Sequence, residues 1–268
     1  AEDFGDSFRF TNALARPLKP YLRRAYGLAD RLVCPSEYNR EVIGEYTDVP
    51  TTVVSNGVDR EKLAGFEALE TEYRDRYELD PPTVFMVGHV IKRKGLETFV
   101  ETAHRMPDVD FAWFGHVDRS LKGRETKRLI DESPSNCTFT GFVDDIRGAY
   151  AAGDVFCFPT HEENEGIALL EAMAAEKPVV VRDIETFSWL EDGEDSLKVG
   201  DERAAGAESD TAAGDARGDN VEGFVEALGE LRDADRRAEL GAKAAERSEA
   251  FSLDAIAERY ASLYEYLT

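Results

Sequence analysis

From about residue 82 the chain alternates short apolar runs with longer stretches of helical spacing. Thr83-Val-Phe-Met-Val87 predicts a strand, a glycine-bounded loop follows, and Leu96–Arg105 predicts a helix. Asp110–Phe114, Cys137–Thr140, Asp154–Phe158 and Pro178–Val181 predict further strands. Residues 122–132, 144–152 and the stretch from Gly166 predict the helices between them. Near-continuous apolar strands alternating with helices imply an α/β fold with a parallel sheet covered on both faces. Two helices close the chain, one over about 220–249 with a break near Ala234 and one over 252–267.

The first 60 residues follow the same alternation but hold less of it. Residues 12–29 predict a helix and Arg31–Pro35 a strand. Ser36 is placed to cap a helix through about Tyr46, and Thr51–Val54 is a strand closed by the Asn56-Gly57 turn. Two strands and two helices are too few for a doubly wound domain of their own. Residues 1–60 are therefore expected to be the end of a larger domain, 61–250 a Rossmann-like domain, and 251–268 a closing helix. Residues 200–220, rich in Asp, Glu, Ala and Gly, predict a solvated acidic loop.

Candidate chemistry gathers at the carboxyl ends of the predicted strands, where open α/β sheets bind ligands. After Val87 comes Gly88-His-Val-Ile-Lys-Arg-Lys-Gly95, with three consecutive cations. After Phe158 comes His161-Glu-Glu-Asn-Glu-Gly-Ile-Ala-Leu-Leu-Glu-Ala-Met-Ala174, which sets Glu163 and Glu171 eight positions apart around Gly166. A glycine where a loop becomes a helix presents backbone N–H groups to an anion. Ionised carboxylates only accept hydrogen bonds, which suits sugar hydroxyls. Phosphate beside hydroxyls describes a sugar nucleotide. The plainer alternatives are surface glutamates favouring a helix N-terminus and a solvated basic loop. Neither a Walker loop nor a dinucleotide fingerprint is present. His161 and His116 also fall at strand ends, where each reads equally well as a loop residue. Asp144 and Asp145 read as a helix start rather than a metal site.

Composition narrows the class. The formal net charge is −23, from 55 acidic and 32 basic residues. A field of that sign opposes binding to nucleic acid and suits a salt-adapted protein. The three cysteines form no C-x-x-C pair, and an odd number argues against a disulfide framework, so a reducing cytoplasm is expected. No apolar run approaches a bilayer span.

The segment from Glu163 to Glu171 resembles the E-x7-E element of the retaining GT-B glycosyltransferases of family 4. Glu163-Asn-Glu-Gly-Ile167 resembles the diacylglycerol glucosyltransferases among them. Matching stretches run from Asp30 to Asp59, Val87 to Phe99, Phe114 to Gly115, Phe139 to Tyr150 and Asp154 to Asp192. The resemblance implies a complete C-terminal Rossmann-like donor domain after the end of an N-terminal one. It implies donor phosphate on Lys94, Arg93 and Gly88, with the amides of Ile167 and Ala168. It places Glu171, Phe142 and Val143 at the nucleoside, and Glu163, Asn164, Glu165 and Gly166 at the hexose. Glu163 is the residue singled out for the transfer itself, positioning the ring by front-face chemistry rather than attacking it. His89 stands where the family usually carries arginine, and Ser55 where it usually carries proline.

By the same resemblance the donor is a UDP-sugar, UDP-glucose foremost, with no metal and no further cofactor. The expected acceptor is a lipid of diacylglycerol or ether type. A polyprenyl- or protein-linked glycan, or binding of the sugar nucleotide without catalysis, are the alternatives. Residues 9–31 carry six cations against the single acid Asp30, interleaved with Leu18, Tyr21, Leu22 and Tyr26. Such a face predicts peripheral contact at the inner surface of a membrane, or else packing into the remainder of its domain.

Overall fold

The computed structural model describes residues 20–117, 124–200 and 220–267. The chain divides between Ser55 and Asn56 into two compact units. In the first, helix α1 occupies residues 20–26. Strand β1 (Leu32–Cys34), helix α2 (Glu37–Gly44) and strand β2 (Thr51–Val53) follow. The two strands pair in parallel, with Leu32 opposite Thr51. Ser36 caps α2 as its sequence position implies, its hydroxyl accepting from Asn39 N at 3.2 Å. Residues 12–19 of the predicted first helix, and Arg9, Arg16 and Lys19 of the basic segment, lie outside the described residues, as do 122–123 and most of the acidic loop.

The second unit begins with helices α3 (Arg60–Leu63) and α4 (Glu70–Tyr77), which the sequence reading left unassigned. Their polar strings bury little, but each helix has a local cause. Asp59 caps α3 by accepting from Lys62 N, and Glu70–Arg74 and Glu72–Arg76 pair one turn apart along α4. Then come β3 (Thr83–Val87), α5 (Leu96–Arg105), β4 (Asp110–Phe114), α6 (Arg124–Asp131) and β5 (Cys137–Gly141). The second half holds α7 (Arg147–Ala152), β6 (Val155–Phe158), α8 (Ile167–Ala174), β7 (Val179–Arg182) and β8 (Leu197–Val199). Helices α9 (Val221–Glu230), α10 (Ala234–Ser248) and α11 (Leu253–Leu267) complete it. The predicted break near Ala234 is the gap between α9 and α10.

All six strands from β3 to β8 are parallel, in the order β5-β4-β3-β6-β7-β8. The chain winds outward from β3 in one direction and from β6 in the other. Right-handed crossovers then put α5 and α6 on one face and α8 on the opposite face. Phe85, Phe99, Phe111, Trp113, Phe156 and Phe158 are fully buried, and Phe99 meets Phe111 and Trp113 edge-on at 5.3 and 5.1 Å. Strand β8 escaped sequence reading because it is three residues long with Lys198 in the middle. It pairs through its backbone with β7, which needs no apolar run.

The switch point lies between β3 and β6. The carboxyl ends of strands at such a point are where open α/β sheets hold their ligands. At the opposite end the sheet is tied down: Arg74 bridges to Asp154, whose carboxylate also accepts from Thr83 N at 2.7 Å.

Candidate functional site

Two loops meet at the carboxyl ends of β3 and β6. The first leaves β3 at Gly88, whose N–H donates to Phe114 O at 3.0 Å while its carbonyl accepts from Trp113 Nε1 at 2.9 Å. Lys92–Lys94 then make one 3₁₀ turn. Gly95 ends it with φ +80°, and a Cβ there would lie 2.2 Å from the Pro159 carbonyl oxygen. Only glycine allows both the turn and that approach. The second loop leaves β6 at Pro159 and ends at Gly166, which starts α8 with φ +89°.

The loops are stitched together through backbone atoms. His161 N and Thr160 Oγ1 both donate to the Arg93 carbonyl, and Arg93 Nη1 donates back to Glu162 O at 2.6 Å. Arg93 thus serves the loop's architecture. Thr186 Oγ1 holds the Glu163 carbonyl at 2.8 Å. Beneath them Arg182, 1% exposed at the end of β7, donates to Pro159 O and Thr98 Oγ1. Neither Arg182 nor Thr186 stood out in the sequence. A cation ending the apolar run Val179–Val181 was the only signal for Arg182.

Lys94 and Glu163 meet at the centre. Lys94 Nζ pairs directly with Glu163 Oε2, and the side chains are only 16% and 11% exposed. The ammonium also stands 5.1 Å from the centroid of the Phe158 ring. The residues that the resemblance assigns to phosphate and to sugar are therefore partners of each other. Asn164 is exposed beside them, and its N–H lies 3.4 Å from Glu163 Oε1.

Glu165 has a different place. It is 6% exposed, and its carboxylate accepts from Asn56 N at 3.1 Å and Asn56 Nδ2 at 2.5 Å. That carboxylate ties the loop to the start of the second unit. Gly166 O accepts from the amides of Leu169 and Leu170, while Ile167, half exposed, and Ala168 provide first-turn amides that no helical carbonyl can reach.

One turn into α8, Glu171 Oε2 accepts from the buried Tyr150 hydroxyl at 2.6 Å. Burial pushes the Glu171 carboxyl above the ordinary glutamate range, opposed by that hydrogen bond and by the Lys62 charge. The Tyr150 phenol is raised in turn, first by burial and then by the neighbouring carboxylate. Tyr150 joins the candidate site through this hydrogen bond and does not stand out in the sequence. Its signal was an aromatic with a polar tip amid the small residues of α7.

At the end of β5, Gly141 has φ +75°, Phe142 is 77% exposed and Val143 is buried. Asp145, just ahead of α7, is held by Arg147, whose backbone N–H and guanidinium both donate to it, while the N-cap of the helix is Ile146 with no side-chain cap. The hydrogen bonds from the Arg147 guanidinium, more than its charge, keep the Asp145 carboxyl below the usual range. His89 and His116, at the neighbouring ends of β3 and β4, stand with ring centroids 6.0 Å apart.

The profile of the glycosyl transferases group 1 matches residues 81–231, more than half of the chain, and that of Glycosyltransferase Family 4 matches residues 6–62. The chain belongs to the group 1 glycosyltransferases. Among relatives of this family, the processive diacylglycerol alpha-glucosyltransferase of Acholeplasma laidlawii is 34% identical over 204 residues, covering 74% of this chain and 61% of that protein. The alpha-galactosylglucosyldiacylglycerol synthase of Streptococcus pneumoniae is 32% identical over 111 residues, 40% of this chain and 30% of that one. This group 1 glycosyltransferase chain thus spans about three fifths of the first relative and under a third of the second. Among solved structures, Anabaena HepE in complex with UDP-glucose superposes with TM-score 0.76 at 18% identity, covering 92% of this chain and 68% of that one. Sucrose-phosphate synthase from Thermosynechococcus elongatus gives 0.72 at 22% identity, covering 89% and 58%. The fold is that of the GT-B glycosyltransferases, as the sequence resemblance implied.

Proposed function

We propose that this protein transfers a hexose, glucose foremost, from a UDP-sugar to a lipid acceptor with retention at the anomeric carbon. The observation that carries the reading is that Lys94, paired with Glu163, the first-turn amides of α8 and Glu171 all lie on the segments that leave the carboxyl ends of β3 and β6. Lys94 and the amides of Ile167 and Ala168 take the diphosphate, with Gly88 giving it close backbone approach. Glu171 accepts from the ribose hydroxyls, and Phe142 and Val143 frame the base. Glu163 and Asn164 take the hexose beside Gly166.

Chemically, the bond from the anomeric carbon to the diphosphate oxygen breaks and its electron pair leaves with the diphosphate. Charge grows negative there and positive on the sugar. A fixed ammonium and a helix N-terminus stabilise that change, and the reading calls for no metal. The acceptor hydroxyl attacks from the face the diphosphate leaves, and its proton passes to the departing phosphate oxygen.

A lipid acceptor is favoured by the printed activities of the Acholeplasma and Streptococcus relatives. It fits the exposed Tyr21 and Leu28 beside the exposed Arg23 and Arg24, a surface suited to peripheral contact with an anionic membrane from the cytoplasmic side. Among the described residues no helix is long and apolar enough to cross a membrane. Calorimetric titration with UDP, UDP-glucose and GDP-mannose tests the donor. Selective binding of the uridine nucleotides is expected, and equal affinity for all three would sink the reading.

Glu171 supplies a pH signature. Its raised pKa means folding favours the protonated form, so its contribution is complete below the ordinary glutamate value and is lost as pH rises through the raised one. Hydroxyl binding needs the ionised form. Uridine affinity should therefore rise with pH through a midpoint above the ordinary glutamate value. Glu171→Ala should weaken uridine binding at neutral pH by about 1–3 kcal/mol and flatten that profile. A profile unchanged in the variant would assign the titration to another group.

A further inference from the structure

The direct pairing of Lys94 with Glu163 has a consequence for ligand choice. Lys94 is the cation assigned to the donor diphosphate, yet its ammonium is already held by a carboxylate of the same chain. Both side chains are largely withdrawn from water. Breaking such a pair is unfavourable unless both charges find new partners, because an uncompensated charge would remain. We propose that Glu163 acts as an internal competitor for the diphosphate, so that the site discriminates a nucleotide carrying a sugar from the nucleotide alone.

The chemistry is asymmetric. Free UDP offers anionic oxygens to Lys94 and nothing to Glu163, which loses its cation and faces added negative charge. A UDP-sugar offers the same oxygens together with hydroxyl donors, which Glu163 can accept from. The carboxylate is positioned for this exchange. Thr186 fixes the Glu163 carbonyl at 2.8 Å and Arg93 fixes that of Glu162 at 2.6 Å, so the backbone stays and only the side chain need turn. After transfer the departing UDP has no hexose left to occupy Glu163, and the carboxylate can reclaim Lys94. Glu163 would then both orient the sugar and hasten release of the spent nucleotide.

This inference rests on the proposed donor site, and the test separates the two. Titrations of UDP and UDP-glucose are compared for the wild type, Glu163→Gln, Lys94→Ala and the double variant, with thermal unfolding to check folding. Glu163→Gln keeps the side chain's size and removes its charge. It is expected to tighten UDP about tenfold, the scale of a charge-assisted contact. It should leave UDP-glucose unimproved, so that the preference for the sugar nucleotide narrows. In the Lys94→Ala background the same change should leave UDP affinity within about twofold. UDP that binds the wild type and Glu163→Gln equally, or the variant more weakly, overturns the competitor while leaving the donor site intact. Failure of the folded wild type to bind either nucleotide removes the donor site and the inference together.

Discussion

Replacing Gly95 with alanine is expected to destabilise the protein by about 3 kcal/mol or more and to abolish nucleotide binding. Two separate costs meet at this position. The backbone sits at φ +80°, where a side chain is strained, and the new Cβ would stand 2.2 Å from the carbonyl oxygen of Pro159. A flexible side chain could move aside, but this neighbour is backbone. That carbonyl is moreover held by Arg182 Nε at 3.1 Å. The displaced segment would be Lys92–Lys94, the turn that delivers Lys94 to Glu163. Gly88→Ala is the comparison. There φ is +143° but a Cβ would meet no described atom within 4 Å, so only the strain remains and the loss should be smaller. Urea unfolding of the two variants, read at constant slope, measures the difference. Equal losses would mean that the approach to Pro159 is not what demands glycine at position 95.

Removing Lys94 is the second large effect. Lys94→Ala is expected to weaken UDP by about 10- to 150-fold, corresponding to the roughly 1.5–3 kcal/mol of a charged hydrogen bond. The change takes away the cation and leaves Glu163 without its partner, close to the proposed place of the diphosphate. Uridine, which lacks phosphate, should lose far less. Lys94→Arg should restore affinity only in part, because a planar guanidinium does not replace a compact ammonium beside the Phe158 ring. Titrations with uridine and UDP on each variant provide the comparison. Equal loss for both ligands would show that Lys94 acts by holding the loops together.

The central strands were legible in the sequence because burial on both faces leaves little room for polar residues. Val84 to Met86 and Val155 to Phe158 announce themselves as apolar runs. Elements held by other forces were not legible. Strand β8 depends on backbone pairing to β7, and α4 on charge pairs one turn apart, with only Tyr73 buried. In the site, the spacing of Glu163, Gly166 and Glu171 was readable because one loop and one helix carry all three. What the spacing did not reveal was the state of each side chain. Glu165 lies in the same short string as Glu163 and is chemically identical to it, yet it is buried against Asn56, 109 positions earlier. Contacts across such separations leave no mark on local pattern. Tyr150 under Glu171 and Arg182 under Pro159 are hidden for the same reason.

The order of the strands also fixes when the candidate site can exist. Lys94 follows β3 and Glu163 follows β6, 69 positions apart, and the two strands become neighbours only after the chain has wound out to β5 and returned. During synthesis at the ribosome the cation is made well before its carboxylate, and a half-built sheet has one half of the candidate site and no other. Closing so long a loop is entropically costly, and its return comes only when β6 docks on β3. On the proposed reading a nucleotide would stabilise this unit only once its two halves have joined. In a crowded cell it would protect finished molecules without rescuing nascent ones.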